Sequence, residues 1–217
     1  MTEARPVEPS VAVPAPAQPV ETQRTSAEAS PLRASVAKGG WARVILGALF
    51  VAFVLRAFVV QAFWIPSESM ENTLVYGDRV LVSKVSYRLH DVNRRDVVVF
   101  EKDAEQMRAD PNGPSVLIKR VVAVGGDSLV IDDASSTVVV NGIVLVEPEV
   151  KSGAKIHNGP RRCVAAAPCV VPAGALFVMG DNRDRSADSR FIGYVRSDQV
   201  VGRAFVRVWP FSRLGGL

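Results

Sequence analysis

Apolar and polar positions divide the chain into three regimes. Residues 1–40 hold six Pro, eight Ala, four acidic and four basic residues and no aromatic. Such a stretch buries too little apolar surface to offset the entropy of ordering, and predicts a disordered tail. From Trp41 to Trp64 the chain is almost continuously apolar, with only Arg43, Arg56 and Gln61 strongly polar in 24 residues. About 20 apolar residues at roughly 1.5 Å each span a bilayer as a helix. The segment 41–64 therefore reads as one transmembrane helix, with Trp41 and Trp64 in the interfacial belts, Arg56 snorkelling and Pro66 stopping the helix. Its uninterrupted core, Val44 to Leu55, is 12 residues, which leaves a buried soluble helix as the other reading. Arg33, Lys38 and Arg43 lie at its start, whereas the 15 residues after Trp64 contain only Arg79. That asymmetry puts the N-terminus in the cytoplasm and residues 65–217 outside it, at the cell membrane.

Beyond Ile65 the period changes to two. "RVLVSKVSY" (79–87), "DVVVF" (96–100), "VLIKRVVAV" (116–124), "LFVMG" (176–180) and "VVGRAFVRVW" (200–209) alternate as strands do. In "TVVVNGIVLV" (137–146) an Asn141-Gly142 pair between β-branched runs predicts a hairpin. Pro and Gly mark 103–115 and 147–174 as surface connections. The fold class is mainly β: an antiparallel domain, 65–217, on a single N-terminal helix.

Charge narrows the function classes. From residue 65 onward 20 Lys/Arg face 18 Asp/Glu, with no basic stripe, so nucleic acid is not an expected partner. The two cysteines, in "CVAAAPC" (163–169), have no His or further Cys near them, so no metal site is expected. Outside the cytoplasm they suit a local disulfide, and inside it two free thiols.

The stretch "IPSESMENTL" (65–74) presents Ser67 and Ser69 directly after the apolar run. They are turn residues, or one is a nucleophile. A serine nucleophile needs a base, and the two histidines, His90 and His157, sit in polar loop contexts that suggest surface positions. Lys119 is different. Alternation places it with Leu117, Val121 and Ala123 on one strand face, opposite Val116, Ile118, Arg120, Val122 and Val124. Burial disfavours the ammonium and makes a lysine a usable general base. Alternatively its stem packs at a sheet edge while the amine reaches water. "GDNRDRSADSR" (180–190) follows a strand directly and is either a solvated turn or a loop fixed by charge-assisted bonds.

Taken together, "PSESM" with "TL", "GDRVLVSK" (77–84), "IKRVVAVGGD" (118–127) and "GDNRDRSADSRFIGYV" (180–195) resemble, in order and spacing, the conserved blocks of bacterial type I signal peptidases. These are membrane-bound serine/lysine endopeptidases that cut signal peptides from exported preproteins. The resemblance covers roughly residues 50–210. It implies Ser69 as nucleophile, Lys119 as general base, Ser67 as a side-chain donor in the oxyanion hole and Ser186 as the residue orienting the lysine amine. Asp188 and Arg190, with Asp181 and Arg183, correspond to an ion-pair frame. Met70, Leu74, Leu117 and Ile118 correspond to the pocket for the substrate residue at −1, and Phe63 and Ile65 to part of the −3 pocket. Shallow apolar pockets of this kind select small residues at both positions. Some relatives carry a cysteine pair before the last block, which favours a Cys163–Cys169 disulfide. The expected partners are signal peptides and the lipid bilayer, and no cofactor or metal is called for. One departure is Asn72, where the family usually has proline.

Two other readings stand beside this one. A self-cleaving serine/lysine regulator would carry a DNA-binding head, and here the corresponding segment is the Pro/Ala tail and apolar run. A membrane-anchored β-rich binding module accounts for the topology and strands but not for four blocks in order.

Overall fold

The alternating runs beyond Ile65 are realised as strands of two antiparallel sheets. The structure, a computed structural model, describes residues 40–217; of the tail expected to be disordered, 1–40, residues 1–39 lie outside them and Gly40 begins a helix instead. Helix α1 (Gly40–Val54) is followed by a single π-helical turn, Leu55–Val59, and then by strand β1 (Val60–Trp64). The expected helix over 41–64 is thus corrected. Its last five residues leave the helix to pair with β2 (Arg79–Ser83), in register from Val60 opposite Ser83 to Trp64 opposite Arg79. A Val-Gln-Ala-Phe-Trp run gains a full ladder there, and tertiary pairing overrides helix continuation. Pro66 is therefore not what ends the helix. Among the described residues no helix is long and apolar enough to cross a membrane. At 15 residues α1 spans about 22 Å, short of the roughly 30 Å hydrocarbon core.

The remaining strands are β3 (Val97–Glu101), β4 (Val116–Val124), β5 (Ser128–Asp132), β6 (Thr137–Val140), β7 (Ile143–Val144), β8 (Cys169–Val170), β9 (Ala175–Met179), β10 (Val195–Arg196), β11 (Val200–Trp209) and β12 (Gly215–Gly216). The large sheet runs β1-β2-β11-β3-β4-β9-β10, with β12 on β11; the small one runs β7-β6-β5-β8. All pairings are antiparallel. Asn141 and Gly142 both take positive φ, 53° and 79°, as the expected hairpin between β6 and β7 requires. The connection at 103–115 is not mere loop: Asp103 caps a short helix, α2 (Ala104–Ala109), with a full capping box. The second long connection contains β8 and the Cys163–Cys169 disulfide.

Three apolar clusters hold the domain. One joins the small sheet to β4 and β9 through Val122, Leu129, Ile131, Val138, Phe177 and Met179. A second gathers Ile65, Met70, Leu74, Val80, Val82 and Ile118. A third gathers Val98, Phe100, Leu117, Val121, Val178 and Val195. The expected alternation along β4 holds as far as Val121. A register shift between Val121 and Ala123 then puts Ala123 in the same cluster as Val122, not on the face of Leu117 and Val121.

Candidate active site

Ser69 lies in a loop whose neck is closed by backbone bonds. Ile65 N–H donates to Asp78 O at 2.9 Å, and Gly77 N–H to Ile65 O at 2.9 Å. Inside the loop Leu74 N–H donates to Met70 O at 2.7 Å, and the Met70 and Leu74 side chains are fully buried. These two apolar anchors fix the turn that carries the serines. Asn72 sits in it at φ 79°. A proline, locked near −65°, cannot adopt that angle, whereas asparagine tolerates it, so the family's usual residue is excluded from this backbone.

Lys119 lies on β4 opposite Val98 of β3, 1% exposed, which rules out the edge lysine whose amine reaches water. Its Nζ is 2.7 Å from Ser69 Oγ and donates to Ile118 O at 2.9 Å. Burial pushes the amine from its ordinary 10.5 down to about 8, against the opposing pull of the Asp188 and Asp181 carboxylates. At neutral pH a useful fraction of molecules therefore carries a lone pair directed at a serine hydroxyl. Ser67 Oγ stands 3.2 Å from Ser69 Oγ. His90 and His157 are both exposed, as expected.

The charged frame differs from the expected one in its pairing. Asp188 and Arg190 do form a buried bidentate pair, with both Nε–Oδ1 and Nη2–Oδ2 at 2.8 Å. Asp188 also accepts from Gly180 N–H at 3.0 Å and caps the short helix α3 (Ser189–Ile192). Arg190 donates onward to the carbonyls of Arg183 and His157. Asp181, however, pairs with Arg120, at 2.8 and 2.7 Å, and accepts from Thr73 Oγ1 at 2.5 Å. Arg183 pairs with Glu147, at 2.8 and 2.5 Å. Three partners of the frame, Arg120, Thr73 and Glu147, were thus missed. For Arg120 there was a signal, since alternation sets it among valines and an isoleucine, where a guanidinium requires a buried acid. Glu147 comes from a distant connection and leaves no local trace.

Ser186 also departs from expectation. Its Oγ is buried and, among the described residues, has no hydrogen-bond partner, so the bond to the Lys119 amine is not made here. Geometry explains its position. Gly180 packs so closely that a Cβ there would collide with Ser69 O and with Ser186 Oγ and Cβ. The glycine lets the backbone after β9 slide between nucleophile and Ser186. Asn182, not anticipated either, ties the two loops together: its N–H donates to Ser69 O at 3.1 Å, and its Nδ2 to Glu68 O and Glu71 Oε2.

Of the expected pocket residues, Phe63, Ile65, Met70, Leu74 and Ile118 fall in one apolar cluster beneath the serine loop, while Leu117 points into another. Alternation along β4 forces that separation. The strand has one further property. β3 pairs with Val116 through Arg120, but β9 begins pairing only at Arg120. Among the described residues, 116–119 thus have a sheet partner on one edge alone, and that half-open stretch ends at Lys119.

A family model described as signal peptidase, peptidase S26, matches residues 38–209. A signal peptidase I of Leptolyngbya laminosa is 36% identical over 202 residues, covering 93% of this chain and 91% of its own. A probable signal peptidase I of Mycobacterium leprae is 31% identical over 268 aligned residues, covering 97% and 91%. A solved signal peptidase I from Enterococcus faecalis aligns with 52% of this chain and 97% of its own at 26% identity, with a TM-score of 0.38. With the family model spanning most of its length and relatives above 30% identity along nine-tenths of both sequences, the chain belongs to the signal peptidase family, peptidase S26.

Proposed function

We propose that the chain is a membrane-bound serine endopeptidase that removes N-terminal signal peptides from exported preproteins, cutting after small residues at −1 and −3. Ser69 is the nucleophile and Lys119 the general base. The observation that carries this reading is the 2.7 Å contact between a fully buried amine, pushed down to about 8, and a serine hydroxyl. Neutral Lys119 takes the Ser69 proton as Oγ attacks the carbonyl of the −1 residue, and returns it to the leaving amine. Water then hydrolyses the acyl-enzyme with the same lysine as base. Ser67 Oγ and the Ser69 N–H hold the oxyanion, a donor of this kind contributing about 3–4 kcal/mol. Ser186 takes an N–H of the lysine once it is charged; its unpartnered hydroxyl supports that role. The half-open edge Val116–Lys119 suits an extended substrate backbone adding as a strand, with the Ile65, Ile118 and Phe63 cluster beneath its small side chains.

The test is processing of a preprotein by the purified chain in liposomes. Cleavage at the signal-peptide junction, located by sequencing the product N-terminus, is expected from the intact chain and not from Ser69→Ala. Equal processing by both would end the reading.

The membrane part of the proposal rests on α1. None of its residues is buried, and Trp41, Val44, Ile45, Leu46, Leu49, Phe50, Val51 and Phe53 are exposed. A helix apolar on all sides requires apolar surroundings. We assign it, with the turn to Val59, as the single anchor in the cell membrane, N-terminus cytoplasmic and catalytic domain outside. Enzyme and anchored signal peptide then meet on one surface, at raised effective concentration. The full chain is expected to float with liposomes, and the Leu49→Glu/Phe50→Glu double variant to remain in the aqueous layer. Unchanged flotation of that variant would refute α1 as the anchor.

A further inference from the structure

The loop Cys163–Cys169 reads Cys-Val-Ala-Ala-Ala-Pro-Cys, and Ala165, Ala166, Ala167 and Pro168 are all exposed. It is closed twice. The disulfide holds the two Cα atoms 4.9 Å apart across a separation of six residues. Within it, Ala167 N–H donates to Val164 O at 2.9 Å, a tight turn with a bridge between those residues. We propose that this loop is itself a substrate of the Ser69/Lys119 site, a self-processing site between Ala166 and Ala167 that the disulfide holds shut. The inference rests on the proposed cleavage after small residues and adds a substrate that the chain carries within its own fold.

The choice of bond follows from the neighbours. With Ala166 at −1, Val164 stands at −3 and Ala167 supplies an ordinary secondary amide to be cleaved. One residue later, Ala167 and Ala165 would fill the same positions, but the leaving nitrogen would belong to Pro168. Its ring removes the N–H and restricts the conformation of Ala167, so that bond is protected by its own chemistry. One residue earlier, −3 would be Cys163, whose side chain is buried in the core of the small sheet.

Reach explains why the bond survives in the oxidised protein. A chain lying along the half-open edge of β4 must be extended, at about 3.3 Å per residue. Val164 to Ala167 would then span about 10 Å, where a turn keeps such ends below about 7 Å. Cys163 to Cys169 would span about 20 Å, where the disulfide fixes 4.9 Å. A dithiol removes the constraint: it transfers two electrons and two protons to the S–S bond, becomes a disulfide itself and leaves two cysteine thiols. The loop can then open at the expense of the Val164–Ala167 turn and the two-residue pairing of β8 with β5. Ser69 of a second molecule attacks the Ala166 carbonyl carbon and gives its proton to Lys119. Lys119 passes the proton to the departing Ala167 nitrogen, and one water hydrolyses the ester to an Ala166 carboxylate. The cut places Ser186, Asp188 and Arg190 on a different fragment from Ser69 and Lys119.

The experiment incubates the purified full chain in detergent with and without dithiothreitol, counts free thiols, and reads new N-termini by mass spectrometry beside a preprotein cleavage assay. A new N-terminus at Ala167 is expected at least tenfold faster in the reduced protein. It should be absent from reduced Ser69→Ala alone and restored to that variant by added active enzyme. Ala166→Trp should suppress the cut while leaving preprotein processing intact. If the reduced chain, with both thiols counted, processes preprotein but yields no Ala167 N-terminus, or is cut only upstream of Gly40, the inference is overturned and the peptidase reading stands. If preprotein itself goes uncut, the peptidase reading fails and takes this one with it.

Discussion

Lys119→Met is expected to lower kcat/KM for a preprotein by about 10²–10⁴-fold, the range typical of a lost general base. Methionine keeps the length and apolar stem, so the loss falls on the proton acceptor and not on packing. The wild-type rate should climb with pH through about 8, as the buried amine gives up its proton. The same residue makes stability depend on pH in a definite direction. Unfolded, the amine binds its proton up to its ordinary 10.5; folded, only up to about 8. Between these values the unfolded chain holds more protons, so folding stability rises with pH across that interval. At about 1.4 kcal/mol per pH unit the rise amounts to about 3 kcal/mol. The cost of the buried ammonium is fully present below pH 8, and the methionine variant should lack it. Denaturation of both proteins at pH 7 and pH 10 should therefore find wild type gaining on the variant by about that amount. Activity of the variant within tenfold of wild type, or parallel pH dependences, would contradict the role given to this amine.

Gly180→Ala is expected to cost about 10²-fold or more in activity and about 1–3 kcal/mol in stability, from a single added methyl group. A Cβ at this position meets the backbone oxygen of the nucleophile and the side chain of Ser186, neither of which can yield freely. Ser69 O is already fixed by Asn182 N–H, and Gly180 N–H by Asp188. The methyl group must therefore push the nucleophile away from Lys119 or drive the 180–190 loop off the serine loop. Serine displacement by about 1 Å is enough for a loss of this size. The expected signature is a fall in kcat with the far-ultraviolet spectrum unchanged. Wild-type turnover by Gly180→Ala would mean that the contact is looser than described.

Much of this molecule can be read from its residues, for reasons that vary by element. The bounds of β4 and β11 coincide with those of the runs 116–124 and 200–209, because long β-branched runs between turn signals have no competing helical pattern. The Asn141-Gly142 hairpin follows from backbone chemistry alone. β1 was misread because a run of apolar residues has no period to separate a helix from a strand, and the deciding partner, β2, is supplied by tertiary structure. β5 went unnoticed although Leu129 and Ile131 alternate correctly, since the acidic Asp132 ends it and Asp133 follows. At the site, motif order was enough to single out Ser69 and Lys119, which the structure brings together. Who pairs with whom in the charged frame was not legible. Asp181 and Arg183 lie two residues apart, yet each chooses a partner more than 30 positions away.

The sheet order has a consequence for the timing of synthesis. The loop of Ser69 hangs from β1 and β2, while Lys119 rides on β3 and β4, and between those two half-sheets lies β11, the last long strand to be made. When residues up to 199 have been made, loop contacts such as Thr73–Asp181 and Asn182–Ser69 can form, but the strand that pairs with both half-sheets is still absent. The strand that joins the two half-sheets is thus made after both nucleophile and base, so ordering the site includes a pairing of long sequence separation.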